Sequence, residues 1–226
     1  SSTMARRPLG IGIINLAYWL ARNDLRYSDI DAGGLALLHE YLEGWSYYLI
    51  KASVDLAEEK GACPKSGETK YGRGEMPIDT YKKDLDELVK PDYKMKWNSL
   101  SIRARDFGIR NSTLMAIMPA ETSAQVSNST NGIEPPRSLV SVKQSKDGVM
   151  KQVVPEIRKL KNKYDLLWNQ KSPEGYLKIC AVIQKFVDQG ISVNTSYNPH
   201  HYEGEQIPMR SEEHTSELQS RETISY

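Results

Sequence analysis

Between Leu35 and Lys60, apolar side chains recur at Leu38, Leu42, Trp45, Leu49, Ala52 and Leu56, at alternating spacings of four and three. That rhythm predicts a long helix with one buried face. Glu40, Glu43, Lys51 and Glu58 fall off the stripe and are expected in solvent. Gly61 is placed to end the helix as a C-terminal cap. Pro8–Asn23 is also apolar, and the pattern predicts a helix over Ile13–Arg22, with Gly10 and Gly12 allowing close approach to a neighbour. Arg26–Asp29 reads as a turn. Cys63–Gly74 reads as a loop, and Asp79 is expected to cap a short helix over Thr80–Val89 that Pro91 stops. Trp97, Leu100, Ala104 and Phe107 mark a further helix ended by Gly108.

Ser112–Met118 is a mostly apolar run of strand length. Ser138–Lys143 and Val149–Val154 flank Ser145-Lys146-Asp147-Gly148 as a hairpin. Ile157, Leu160, Tyr164 and Leu167 trace one helix face, and Tyr176, Ile179, Cys180, Ile183 and Val187 another. Gly190 breaks that last helix, Ile191–Tyr197 is a strand candidate, and Asn198-Pro199 turns away. The two best strands each follow a helix. The pattern is α/β and helix-rich, as in a barrel or parallel sheet.

Met118–Pro136 is a polar segment between these elements. Pro119 ends the preceding apolar run. Thr122-Ser123-Ala124-Gln125 reads as a capping box with Thr122 as N-cap. A helix starting at Ser123 leaves first-turn N–H groups without intrahelical partners, a geometry that holds anions such as phosphate. Gly10-Ile11-Gly12 invites a dinucleotide reading, but the third glycine of that fingerprint is missing.

Composition narrows the functional classes. The chain has 226 residues, enough for one or two domains with a core, and 39% hydrophobic and 26% charged residues are ordinary for a globular protein. Lys+Arg 30 against Asp+Glu 29 gives a net charge of +1, which offers no nucleic-acid patch. No apolar run reaches membrane-span length and no signal peptide is visible, so no membrane partner is expected. The two cysteines, Cys63 and Cys180, have neither CxxC nor metal-ligand spacing, and read as structural thiols in a reducing, cytoplasmic compartment. The sequons at Asn111, Asn128 and Asn194 read as chance. His200, His201 and His214 have no ligand spacing, so no metal site is expected.

Several segments in one register then carry a resemblance. Arg6-Arg7-Pro8-Leu9-Gly10-Ile11-Gly12-Ile13-Ile14-Asn15 and Pro77-Ile78-Asp79-Thr80-Tyr81-Lys82-Lys83-Asp84-Leu85-Asp86 are two of them. Gly108–Leu114, Asn131-Gly132-Ile133-Glu134-Pro135-Pro136, Val153-Val154-Pro155 and Gln184-Lys185-Phe186-x-Asp188-x-x-Ile191-Ser192-x-Asn194-Thr195 are others. From about Ala5 to about Met209 the chain resembles the large (catalytic) subunit of class I ribonucleotide reductase, of the bacterial Ia type. The resemblance implies a fragment of a ten-stranded α/β barrel. It implies radical-based reduction of ribonucleoside diphosphates to deoxyribonucleotides by thiyl chemistry.

What the resemblance carries to particular residues is narrow. Pro119, Ala120, Glu121, Thr122 and Ser123 match the turn that holds the substrate diphosphate in the family, with the Glu121 N–H rather than its carboxylate as the expected contact. Ala120 replaces the Ser common there, a loss of about 1 kcal/mol for one hydrogen bond. Gly190 replaces a Ser usual before Ile-Ser. Neither cysteine matches the radical or redox cysteines, and Tyr47-Tyr48 does not match the radical-relay pair, so no catalytic residue is assigned.

The implied partners are a ribonucleoside diphosphate, a metal-containing small subunit that supplies the radical, a second large subunit, and thioredoxin or glutaredoxin. ATP and deoxynucleotides are implied as effectors, with no cofactor in this chain. Arg210–Tyr226 resembles translated sequencing-adapter sequence, and is expected to be a weakly ordered tail beside a 1–209 barrel-domain portion. The rival expectation is a non-catalytic helical interaction module using the Leu38–Leu56 stripe.

Overall fold

In the computed structural model, residues 2–145 and 148–196 are described. The elements in order are α1 (Ser2–Arg6), α2 (Leu16–Arg22), α3 (Ala32–Lys60), α4 (Pro77–Thr80), α5 (Trp97–Phe107), α6 (Glu121–Val126), β1 (Val140–Ser145), β2 (Gly148–Val153), α7 (Ile157–Leu160) and α8 (Glu174–Gln184). The chain divides into two compact units. One holds the chain up to Gly12 with Asp31–Ile117 and Lys178–Ile191; the other holds Ile13–Ile30, Met118–Leu177 and the chain from Ser192.

The first unit is built on α3. Asp31 caps it by accepting from the Gly34 N–H at 2.7 Å, and Gly61 ends it at φ 81°. Its buried face is Leu35, Leu38, His39, Leu42, Glu43, Ser46, Ile50, Ser53, Val54 and Ala57. The sequence stripe therefore holds at Leu38 and Leu42 and fails further along, where Ala52 and Leu56 are exposed. The six positions repeat about every 3.6 residues, the period of a straight helix, so they share one face, and the buried face that continues through Ser46, Ile50, Ser53 and Ala57 lies to one side of it. Leu38 and Leu42, two of the six stripe positions, are fully buried, which removes a third of the surface required by the interaction-module expectation.

Glu43, expected in solvent, is fully buried. Its carboxylate accepts from the Lys94 and Met95 N–H groups at 3.0 and 2.9 Å and from Trp97 Nε1 at 2.9 Å. A second buried charge, Lys185, donates to Asp86 Oδ1 and the Val89 carbonyl, both at 2.7 Å. These contacts pin the 83–97 segment. Asp79 caps from inside its helix: it sits in the first turn of α4 and accepts from the Met76 N–H at 2.8 Å. The expected Thr80–Val89 helix is a 3-10 turn over Lys83–Glu87, and the Cys63–Gly74 loop holds two more short 3-10 turns. α5 forms as expected, with Trp97, Leu100 and Ala104 buried and Phe107 exposed.

Parallel pairing appears in the same unit. Ile11 bridges Met115, and Ile117 bridges Ile191, both in parallel sense. Leu9 and Ile11 N–H groups donate to the Thr113 and Leu114 carbonyls at 3.0 and 2.8 Å, and Ile117 N–H donates to the Gly190 carbonyl at 3.2 Å. The 113–117 run is thus flanked on both sides, consistent with the strand expectation at Ser112–Met118. Beyond Ile191, residues 192–196 have no regular structure. Gly10 and Gly12 lie in extended backbone beside 113–117 rather than in a helix, and α2 starts only at Leu16. Asn15, at φ 70°, is left-handed and blocks an earlier start.

In the second unit, β1 and β2 form the expected antiparallel hairpin, registered from Val140↔Val153 to Ser145↔Gly148. The expected helix through Ile157–Leu167 is instead the single turn α7 and a 3-10 turn at Leu167–Asn169. Tertiary bonds claim the intervening backbone: Arg26 donates to the Asn162 carbonyl at 3.0 Å, and Asp165 accepts from the Ser28 N–H at 2.8 Å. Leu160 and Tyr164 remain buried. In α8 and the turn after it, Tyr176, Ile179, Cys180, Ile183 and Val187 are all buried as expected. No described helix is long and apolar enough to cross a membrane. The expectations for Tyr197, the Asn198-Pro199 turn, the three histidines from His200 on, and the 210–226 tail lie outside the described residues.

Candidate functional site

The Met118–Pro136 segment lies in the second unit and folds around α6. Its helix starts two residues earlier than the capping box implies. Ala120 is the N-cap, at φ −129° and ψ 35°, and makes no side-chain cap bond. Thr122 and Ser123 therefore sit inside the first turn, and no capping box forms. Proline at 119 favours a break immediately before the cap, and the Ala120 carbonyl accepts the first helical bond, from Ala124 N–H at 2.8 Å.

The earlier helix start moves the donors. N–H groups in a helix's first turn lack intrahelical acceptors, and here those include Thr122 and Ser123. Both residues, with Pro119 and Glu121, are exposed; Ala120 is half-buried. Hydroxyls and N–H groups on one exposed helix start form a donor-rich edge suited to an anion. The chemistry these N–H and hydroxyl donors offer is anion binding.

The far side of α6 is held firmly. Ser127 Oγ donates to the Ser123 carbonyl at 2.9 Å and lies 3.0 Å from Ser129 Oγ. Ser129 N–H returns to the Ala124 carbonyl at 2.8 Å, and Gln152 Nε2 donates to the Ser129 carbonyl at 2.7 Å. Asn128, at φ 50°, makes the reversal. The next residue, Thr130, is buried and is gripped by Asn15. Thr130 N–H and Oγ1 donate to Asn15 Oδ1 at 3.0 and 3.4 Å, while Asn15 N–H donates to the Thr130 carbonyl at 3.0 Å. Gly132 follows at φ 48°, and its carbonyl accepts from Leu16 N–H at 3.3 Å. Sequence patterning missed Asn15 because its partner is more than a hundred residues away. Its one local signal is an Asn, tolerant of left-handed backbone, at the end of an apolar run.

Both cysteines belong to the first unit. Cys63 and Cys180 are both buried. Burial pushes the Cys63 thiol above its usual range, which disfavours the reactive thiolate. Among the described residues, no group of three or more His, Cys, Asp or Glu converges as a metal site would require.

Comparison with known proteins is consistent across these features. The ribonucleotide reductase barrel domain, as a family profile, matches residues 1–220. The ribonucleoside-diphosphate reductase subunit alpha of Haemophilus influenzae is 54% identical over 209 residues, which is 92% of this chain and 27% of that protein. The Escherichia coli ribonucleoside-diphosphate reductase 1 subunit alpha is 51% identical over 207 residues, again 92% and 27%. The subunit alpha of Enterobacteria phage T4 is 47% identical over 206 residues, 90% and 27%. The chain thus spans about a quarter of the length of these curated relatives. With parallel pairing at 113–117 and a helix-rich build, the chain belongs to the ribonucleotide reductase family, as a portion of the barrel domain of a class I alpha subunit.

Proposed function

We propose that the Pro119–Ser123 turn anchors the diphosphate of a ribonucleoside diphosphate during its radical-based reduction to the deoxyribonucleotide. The observation that carries this is the exposed start of α6, where Thr122 and Ser123 offer hydroxyls and first-turn N–H groups at positions matching the family's turn. Ala120 contributes backbone only. Glu121 contributes its N–H, with the carboxylate turned from the phosphate.

On this reading, residues 1–209 work as part of a cytoplasmic enzyme with a second large subunit and a radical-supplying small subunit. Thioredoxin or glutaredoxin supplies reducing equivalents, and ATP or deoxynucleotide effectors act elsewhere. On the same reading the reacting cysteines lie outside this segment: neither Cys63 nor Cys180 matches the family's radical or redox cysteines, and the burial of both supports this. Residues 210–226 have no part in the activity.

The test is steady-state reduction by a full-length subunit carrying this segment, assayed with its small subunit and reductant. Thr122→Ala together with Ser123→Ala should raise KM for the diphosphate about tenfold or more while leaving kcat within a few-fold, as lost ground-state binding does. An unchanged KM would remove the turn from substrate binding.

A further inference from the structure

We infer that Asn15 is the positioning residue of this anchor, a reading that rests on the diphosphate role of the Pro119–Ser123 turn. The α6 turn is exposed and short, and on its own has little to fix its direction. Its first-turn donors act on an anion only if they are held in place before the ligand arrives. The hydrogen bonds supply one continuous tie. Ser123, a proposed ligand contact, has its carbonyl held by Ser127 Oγ at 2.9 Å, and Ser127 meets Ser129 Oγ at 3.0 Å. Ser129 leads directly into Thr130, which is 5% exposed and whose N–H and hydroxyl both turn to Asn15.

Asn15 suits this task in two ways. Its backbone is left-handed, at φ 70°, a conformation that Asn adopts more readily than other side-chain-bearing residues. Its Oδ1 is a single acceptor facing both donors of Thr130, while its own N–H binds the Thr130 carbonyl at 3.0 Å. The pair therefore locks residue 130 on both its N–H and C=O sides. Asn15 also precedes α2, whose Leu16, Ala17, Leu20 and Ala21 are buried, so the anchor is fastened to a packed helix rather than to a loop.

The experiment uses the full-length subunit carrying this segment, with its small subunit. Asn15→Gly keeps the left-handed backbone and removes the acceptor; Asn15→Asp keeps both. Asn15→Gly should raise KM for the diphosphate about three- to tenfold with kcat within twofold, and Asn15→Asp should stay within about twofold of the parent KM. A merely structural role would lower the amount of active enzyme, and so kcat, without moving KM. Equal KM values for Asn15→Gly and the parent, alongside a raised KM for the Thr122/Ser123 double variant, would overturn the positioning role and leave the anchor intact. An unmoved KM in the double variant would overturn the anchor itself. A raised KM in Asn15→Asp would point to the amide nitrogen and would also overturn the inference.

Discussion

Tyr71 Oη donates to Asp188 Oδ2 at 2.6 Å, joining two residues 117 positions apart. The same carboxylate accepts from the Leu114 and Met115 N–H groups, each at 2.8 Å. Asp188 thus clamps the central 113–117 run to the turn after α8. Burial holds its carboxyl above the usual carboxylate range, against the pull of those three donors. Asp188→Ala orphans all three and should cost about 3 kcal/mol. Asp188→Asn keeps one acceptor and sheds the buried charge, so its cost should be about half. Urea unfolding of the two variants checks the order, and equal losses would rule out the clamp.

Glu43 and Trp97 form the matching buried contact on α3, at 2.9 Å. Glu43→Ala leaves two backbone N–H groups and an indole N–H without an acceptor in a dry site. A loss of about 3 kcal/mol is expected. Glu40→Ala, on the exposed face, should stay within about 0.5 kcal/mol. Chemical denaturation distinguishes them.

His39 is 3% exposed, stacks on Tyr93 and meets the edge of Phe186. Burial, then the Lys185 charge, lowers its pKa below 6.5; Glu43, Asp86 and Asp92 oppose this. Between the folded pKa and 6.5 the unfolded chain binds more protons, so stability is full above that window and falls as pH drops through it. The slope is at most about 1.4 kcal/mol per pH unit. His39→Phe should flatten the fall in the denaturation midpoint as pH drops below the unfolded histidine's pKa.

Gly175, in the first turn of α8, lies against Tyr27. A Cβ there would stand 1.7 Å from the Tyr27 carbonyl oxygen. Tyr27 is itself fixed, 1% exposed, with its Oη donating to the Ile133 carbonyl at 2.9 Å. The backbone must move to admit a methyl, so Gly175→Ala should cost about 2–3 kcal/mol, read as a lower Tm.

Ala120 occupies an N-cap with no side-chain acceptor. Ala120→Ser supplies one, and should stabilise the α6 start by about 0.5–1 kcal/mol. Backbone amides at 121–123 should then exchange more slowly with solvent, and KM for the diphosphate should fall about two- to threefold. Faster exchange would show that the cap geometry at 120 does not accept the hydroxyl.

Local order was legible along the chain. α3, α5, α8 and the β1–β2 hairpin each follow from periodicity and a glycine or turn signal within about ten residues. The family followed from motifs in register, since they carry more information than periodicity alone. What only the tertiary structure decided involves partners far apart. Glu43 reads as solvent-facing until Trp97 and the 94–95 backbone close over it. Leu9–Ile11 carries no strand signal until 113–117 pairs beside it. Thr122 reads as a cap until Pro119 and the α6 backbone shift that role to Ala120. Asn15 shows no role until Thr130 reaches its side chain. A hydrophobic period records which face of an element is buried. It carries no record of which distant donor will occupy a buried acceptor, because loop closure and packing settle that only when the whole chain has folded.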